Sequence, residues 1–97
     1  MSMSMKAIPP ALETLFGEVV VLDLESRFVC VGTLMERQGE YLLLSEADVH
    51  DLRDTPSTRD QYVLHCRRDG MTANRQWAWI RADEVIGMSR LSDVVVD

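Results

Sequence analysis

The stretch Arg27–Glu36, RFVCVGTLME, decides how the rest of the chain is read. Phe28, Cys30, Gly32 and Leu34 fall on one face at a period of two, which is the pattern of a β-strand. A glycine inside a strand marks a sharp bend, so Gly32 points to a small barrel rather than a flat sheet. On the N-terminal side, residues 18–25 (EVVVLDLE) read as a strand, with Leu22 and Leu24 alternating against Asp23 and Glu25. The link Glu25-Ser26 is short enough for a hairpin. On the C-terminal side, RQGE turns the chain at Gly39. Residues 41–47 (YLLLSEA) then form a third strand, apolar on both faces from Leu42 to Leu44.

Further out, PPALETLFG reads as a short helix. Pro10 suits its first turn, Leu12, Leu15 and Phe16 make one apolar stripe, and Gly17 closes it in a left-handed conformation. After the third strand, DVHDLRDTPST breaks the pattern with polar residues. A helix within residues 55–70 follows, capped either by Thr55 with Pro56 in the first position or by Ser57 with Asp60 three residues on. Tyr62, Val63 and Cys66 form its apolar stripe, Arg67 and Arg68 sit in its last turn, and Gly70 stops it. Residues 74–81 (NRQWAWIR) and 84–91 (EVIGMSRL) are the fourth and fifth strands, and SDVVVD extends the fifth or forms a tail. The expected architecture is one mainly β domain over residues 1–97, a small open, SH3-like barrel of five strongly bent antiparallel strands. It carries an N-terminal helix and an inserted helix, with residues 1–8 as a flexible tail. The fifth strand has one apolar face and few charges, so its edge should seek a partner edge, and self-association is expected.

A chain of 97 residues, 46% hydrophobic and 27% charged, suits one globular domain. No stretch approaches the roughly 20 apolar residues of a membrane span, and MSMSMKAIPP contains no apolar signal core. No membrane association is expected. Two cysteines are too few for a disulfide framework, so Cys30 and Cys66 are read as reduced, half-buried thiols of a cytoplasmic protein. The net charge of −6 opposes diffuse, charge-driven nucleic-acid binding. The charge is uneven, however. Residues 59–81 hold five arginines against two aspartates, which makes either a local basic region or a solvated helix face.

In these motifs the chain resembles the Sm-like (LSm) family over about residues 10–47 and 75–91. Gly32-Thr33-Leu34 matches the family's glycine-x-leucine in the bent second strand, YLLLSEA its apolar third strand, and WIRADEVIGM its second motif, with Arg81 at the arginine position. The resemblance implies closed rings in which the fourth strand of one subunit pairs with the fifth of the next. It also implies RNA bases bound on the inner rim, between the loop after the second strand and the corner before the fifth. By position the family's pocket asparagine falls on Tyr41 and its aspartate near Arg37. The loop is one residue shorter, and Ala82 stands where the family has glycine.

The RNA-binding candidates are therefore Arg37, Gln38, Gly39, Tyr41 and Arg81, with Arg59, Arg67 and Arg68 of the inserted helix as phosphate contacts. Arg81 can bond or stack on a nucleotide through its planar fork, or pair with Asp83, Glu84 or a neighbouring subunit's acid. Tyr41 can stack a base or pack against a neighbour. Trp77 and Trp79 share one face of the fourth strand and form either an exposed stacking platform or a core or subunit contact. Asp48, His50 and Asp51 lie close in a polar loop, while His65 and Cys66 point about 100° apart on a helix and do not easily share one ion. There is no Gly-x-Ser-x-Gly, no base beside Cys66 and no phosphate loop. The expectation is a non-enzyme without metal or cofactor: a homo-oligomeric, RNA-associated ring, or alternatively a scaffold on the same fold that has lost RNA binding.

Overall fold

The computed structural model describes residues 12–96. Five antiparallel strands, β1 (Val19–Leu24), β2 (Phe28–Gln38), β3 (Tyr41–Asp51), β4 (Arg75–Arg81) and β5 (Val85–Arg90), build one open, strongly bent sheet in the order β4-β3-β2-β1-β5. One α-helix among the described residues, α1 (Arg59–Asp69), lies between β3 and β4 in sequence. The two strands last in sequence thus occupy opposite borders of the sheet. No helix among the described residues is long and apolar enough to cross a membrane.

The bend sits where the glycine foretold it. The register of β2 against β3 shifts between Val31 and Thr33 and again between Leu34 and Glu36. Gly32 faces Ala47 so closely that an added Cβ would lie 2.8 Å from the Ala47 Cβ and 2.9 Å from its Cα. Opposite this point Glu46 takes a positive φ of 48°, the extra twist that a bulged strand needs. Inside the bend, Leu22, Cys30, Leu34 and Leu44 are fully buried, and Leu12, Leu15 and Phe16 close the open side.

The other face is not left to solvent. Val21, Val29 and Val31 point away from the first core and are buried under Tyr62 and Cys66 of α1. Burying a valine is worth about 1.5–3 kcal/mol, so the helix is a structural cover and not an appendage. Polar bonds fix its placement. The Tyr62 hydroxyl donates to Asp48 Oδ2, and the His50 ring stacks on Tyr62 at 4.1 Å between centroids.

Several boundaries move for identifiable reasons. The polar DVHD segment, expected as loop, completes β3: Asp48 to Asp51 pair with Val31 to Phe28, and α1 satisfies Asp48 and His50. The helix begins at Arg59 with neither expected cap. Thr58 accepts from the Gln61 N–H while the Gln61 side chain accepts from the Thr58 N–H, a capping box. The described part of the N-terminal helix is one 3-10 turn, Leu12–Leu15, closed by Gly17 at φ +90°; Pro10 and the expected tail 1–8 lie outside the described residues. SDVVVD neither extends β5 nor trails free through its length, because a 3-10 turn at Leu91–Asp93 folds Leu91 and Val94 onto the second core. Cys30 and Cys66 are fully rather than half buried. Burial pushes the Cys30 thiol up to about 12 and raises Cys66 as well, so both stay protonated and unreactive near neutral pH.

Two outcomes are expected. Gly32→Ala should lower the unfolding free energy by about 1–3 kcal/mol, since the new methyl meets backbone and not a pliable side chain; an unshifted urea midpoint would show the close approach to be dispensable. Asp51 accepts the backbone N–H of Arg53 at 2.9 Å, the Arg53 guanidinium at 3.1 Å and Arg27 Nε at 3.3 Å. The Arg53 bonds, foremost, hold its carboxyl down to about 2. A lowered carboxyl contributes stability above its unfolded value that disappears as pH falls through the folded one. Asp51→Asn should therefore lose less stability than the parent between about pH 4 and pH 2, and equal losses in thermal melts at the two pH values would exclude this role.

Candidate nucleic-acid interface

Two tight turns meet at one end of the sheet. Gly39, at φ +62°, lets β2 reverse into β3, and the 3-10 turn Ala82–Glu84 carries β4 into β5. The β3–β4 ladder sets Tyr41 directly opposite Arg81, and the Ala82 N–H donates to the Glu40 carbonyl at 2.8 Å, locking the turns together. Residues 40 positions apart thus form one corner because β4 returns along β3.

Within it, Arg81 donates Nε to Asp83 Oδ1 at 3.1 Å, and Nη2 to Asp83 Oδ2 at 2.9 Å and to Glu40 Oε1 at 3.4 Å. Its guanidinium lies 6.0 Å from the Tyr41 ring centroid. The hydrogen bond and charge of Asp83 raise the Arg81 pKa, and Arg81 in turn lowers that of Asp83. Arg37 Nε donates to the Gly39 carbonyl at 2.8 Å, which pins the turn. Gln38 bridges strands: Nε2 donates to Glu36, and Oε1 accepts from Trp79 Nε1 at 2.9 Å. Tyr41 is 40% exposed, so its ring can receive a flat partner.

Arg37, Gln38, Gly39, Tyr41 and Arg81, taken from separate parts of the sequence, are therefore neighbours. The helix arginines are placed differently. Arg59 turns back on its own chain, donating to the carbonyls of Phe28 at 3.2 Å and Ser26 at 3.3 Å, with Asp23 at 3.7 Å. It staples α1 to the β1–β2 turn. Arg67 and Arg68 are exposed, and Arg67 stands beside Glu18, Val19, Leu91 and Ser92, away from the Tyr41–Arg81 corner.

The residue that sequence reasoning missed is Glu40, and the exposure of the two tryptophans was left open. Glu40 shares Arg81 with Asp83, which no local spacing reveals because the contact depends on ladder register. Trp77 and Trp79, read as either platform or core, are 46% and 55% exposed. At the corner two carboxylates, Glu40 and Asp83, pair with Arg81, and a third, Glu36, accepts from Gln38. His50 and His65 are each engaged by their own chain, His65 with Asp69 at 3.2 Å, and no group of three or more metal-binding side chains is present among the described residues.

No protein-family model matches the sequence, and no curated protein does. Solved structures do. The chain superimposes on the Sm protein of Pyrococcus abyssii in complex with a uridine heptamer with a TM-score of 0.54, at 18% identity over 80% of this chain and 89% of that one. The P. aerophilum SmAP1 heptamer gives 0.55 at 19% identity, over 93% and 96%. A chain of the NatC complex bound to Gag peptide and CoA gives 0.51 at 13% identity, over 80% and 87%. At these identities the likeness is one of backbone architecture, and the architecture this chain adopts is the Sm-like fold.

Proposed function

We propose that copies of this chain join edge to edge, β4 of one against β5 of the next, into a closed ring that carries single-stranded RNA at the Tyr41–Arg81 corner. The observation that carries this reading is the corner itself. A half-exposed tyrosine and an arginine lie side by side at the border of a sheet whose two edges are both open. Ile86 on β5 is 68% exposed, so that border offers apolar area to a neighbour, and β4 offers its unpaired backbone edge. Two of the structures that share the fold are, by contrast with an isolated chain, a heptamer and an Sm protein holding a uridine heptamer. The base would stack on Tyr41. Arg81 is held by exposed, solvent-screened ion pairs, so it can exchange a carboxylate for a nucleotide edge at little cost. Gln38 and the Gly39 turn border the same space, Arg37 fixes that turn, and Arg67 and Arg68 supply outlying phosphate contacts.

A specific observation favours a second reading. Arg81 already has two acidic partners, so the corner is complete without a ligand, and the ring would then serve as a scaffold for other proteins. The chain of the NatC complex with this fold lends that reading weight.

Light scattering at tens of micromolar should return a multiple of the 11.0 kDa chain, and a monomer would defeat both readings. Short U-rich and A-rich RNAs should bind at low salt with a dissociation constant below about 100 μM, and failure of both to do so would remove the RNA reading. With few phosphates engaged, log K should fall with log salt with a slope of about −1. Arg81→Ala separates the readings: lower affinity with intact assembly supports RNA, whereas altered assembly or no change supports the scaffold.

A further inference from the structure

We propose that the outer face of β4 is a second nucleic-acid contact, a stripe formed by Arg75, Trp77 and Trp79 on which bases of single-stranded RNA stack. Along β4, Ala78 is buried and Ile80 packs on the first core, so Arg75, Trp77, Trp79 and Arg81 alternate onto the opposite side. On that side helix α1 covers β1, β2 and the Asp48–His50 end of β3, while Trp77 and Trp79 of β4 stay about half exposed. Two tryptophans on one strand face stand about 6.6 Å apart, two strand residues, which spaces two stacking surfaces along one line.

The arrangement is prepared rather than loose. The Trp79 indole N–H is already satisfied by Gln38, itself tied to Glu36, so the polar edge of the ring is fixed within the protein and its face stays available. Beneath it, Leu43 lies opposite Trp79 in the ladder and is 8% exposed, a firm support. Arg75 ends the stripe. It is exposed, donates to the neighbouring Asn74 carbonyl at 3.0 Å, and forms no ion pair among the described residues. Flat apolar faces in line with an uncompensated cation fit a polymer of flat bases on an anionic backbone. A second copy of the chain suits the backbone edge of β4 instead, and edge pairing leaves the face of the sheet open.

The proposal rests on the RNA reading above but uses different side chains, so the two can fail separately. The protein has two tryptophans, both in this stripe, so tryptophan emission excited beyond the tyrosine band reports on this face. A labelled A-rich or U-rich oligonucleotide is titrated with the assembled protein, following anisotropy and tryptophan emission together. Quenching with the anisotropy midpoint is expected, along with protection of both indoles from acrylamide. Trp77→Ala and Trp79→Ala should each weaken binding about tenfold without changing the particle size, and Arg75→Ala should reduce the salt slope by about 0.7. Binding seen by anisotropy with unchanged emission and full affinity in Trp79→Ala overturns the stripe and leaves the Tyr41–Arg81 corner standing. Tryptophan variants that change assembly but not affinity also overturn it, assigning the face to subunit contact. Absence of any anisotropy change overturns both proposals. Should the alanine variants not fold, quenching and acrylamide protection in the parent protein decide alone.

Discussion

The close approach of two backbones at Gly32 and Ala47 governs this molecule. Only a residue without a side chain lets β2 and β3 come this near, and only that nearness lets an 11-residue strand curl far enough for one face to enclose Leu22, Leu34 and Leu44. The curl has a second consequence. It carries β1 and β5 to one border and β4 to the other, so the strands last in sequence never meet within one chain. Open borders and the buried core are therefore two products of one steric allowance.

A sheet this small needs cover on both faces, and the chain divides the task. The N-terminal turn closes the concave side with Leu12 and Leu15, while α1 closes part of the other with Tyr62 and Cys66. The division explains what was legible in the sequence. Period-two alternation at Phe28–Leu34 and the leucines Leu42 and Leu44 report on the first core, which neighbouring strands build locally, and both were readable. Asp48 and His50 report on the second, and their polarity made sense only once Tyr62, 14 and 12 residues later, was laid across them. A polar run in a strand reads as a loop whenever the group that satisfies it lies far along the chain. The helix start was misplaced for another reason: Thr55, Ser57 and Thr58 all offer a capping hydroxyl, and the reciprocal bond with Gln61 selects among them.

The candidate site divides in the same way. Arg81 stood out because a lone arginine between two apolar strands must occupy a corner, and its partner Asp83 is two residues away. Glu40 was hidden, since it reaches Arg81 only through the β3–β4 register. Arg59 drew notice as one of several helix arginines, yet two carbonyls of the β1–β2 turn claim its guanidinium. Charge counts over a segment cannot distinguish a cation engaged in closing the fold from one left for a ligand. Exposure of Trp77 and Trp79 was equally beyond alternation alone, because period two sorts side chains onto faces but does not say which face the helix will cover.

The energetics then tie assembly to ligand binding. A stacked base is worth about 1–3 kcal/mol, and the exposed pairs of Arg81 give back little when exchanged. One chain offering Tyr41 and two tryptophans thus reaches about 3–9 kcal/mol, and the cost of ordering a flexible strand brings this below the roughly 8 kcal/mol of a micromolar complex. On an acidic body, long-range attraction does not make up the difference. Repetition does. Once one subunit holds a strand, the next meets it at an effective concentration set by the short connecting length, and the weak contacts compound. In the proposed ring, the edges of β4 and β5 therefore contribute to RNA binding alongside the rings and guanidinium that touch it, and a chain with an intact corner but blocked edges would hold RNA more weakly than the assembly.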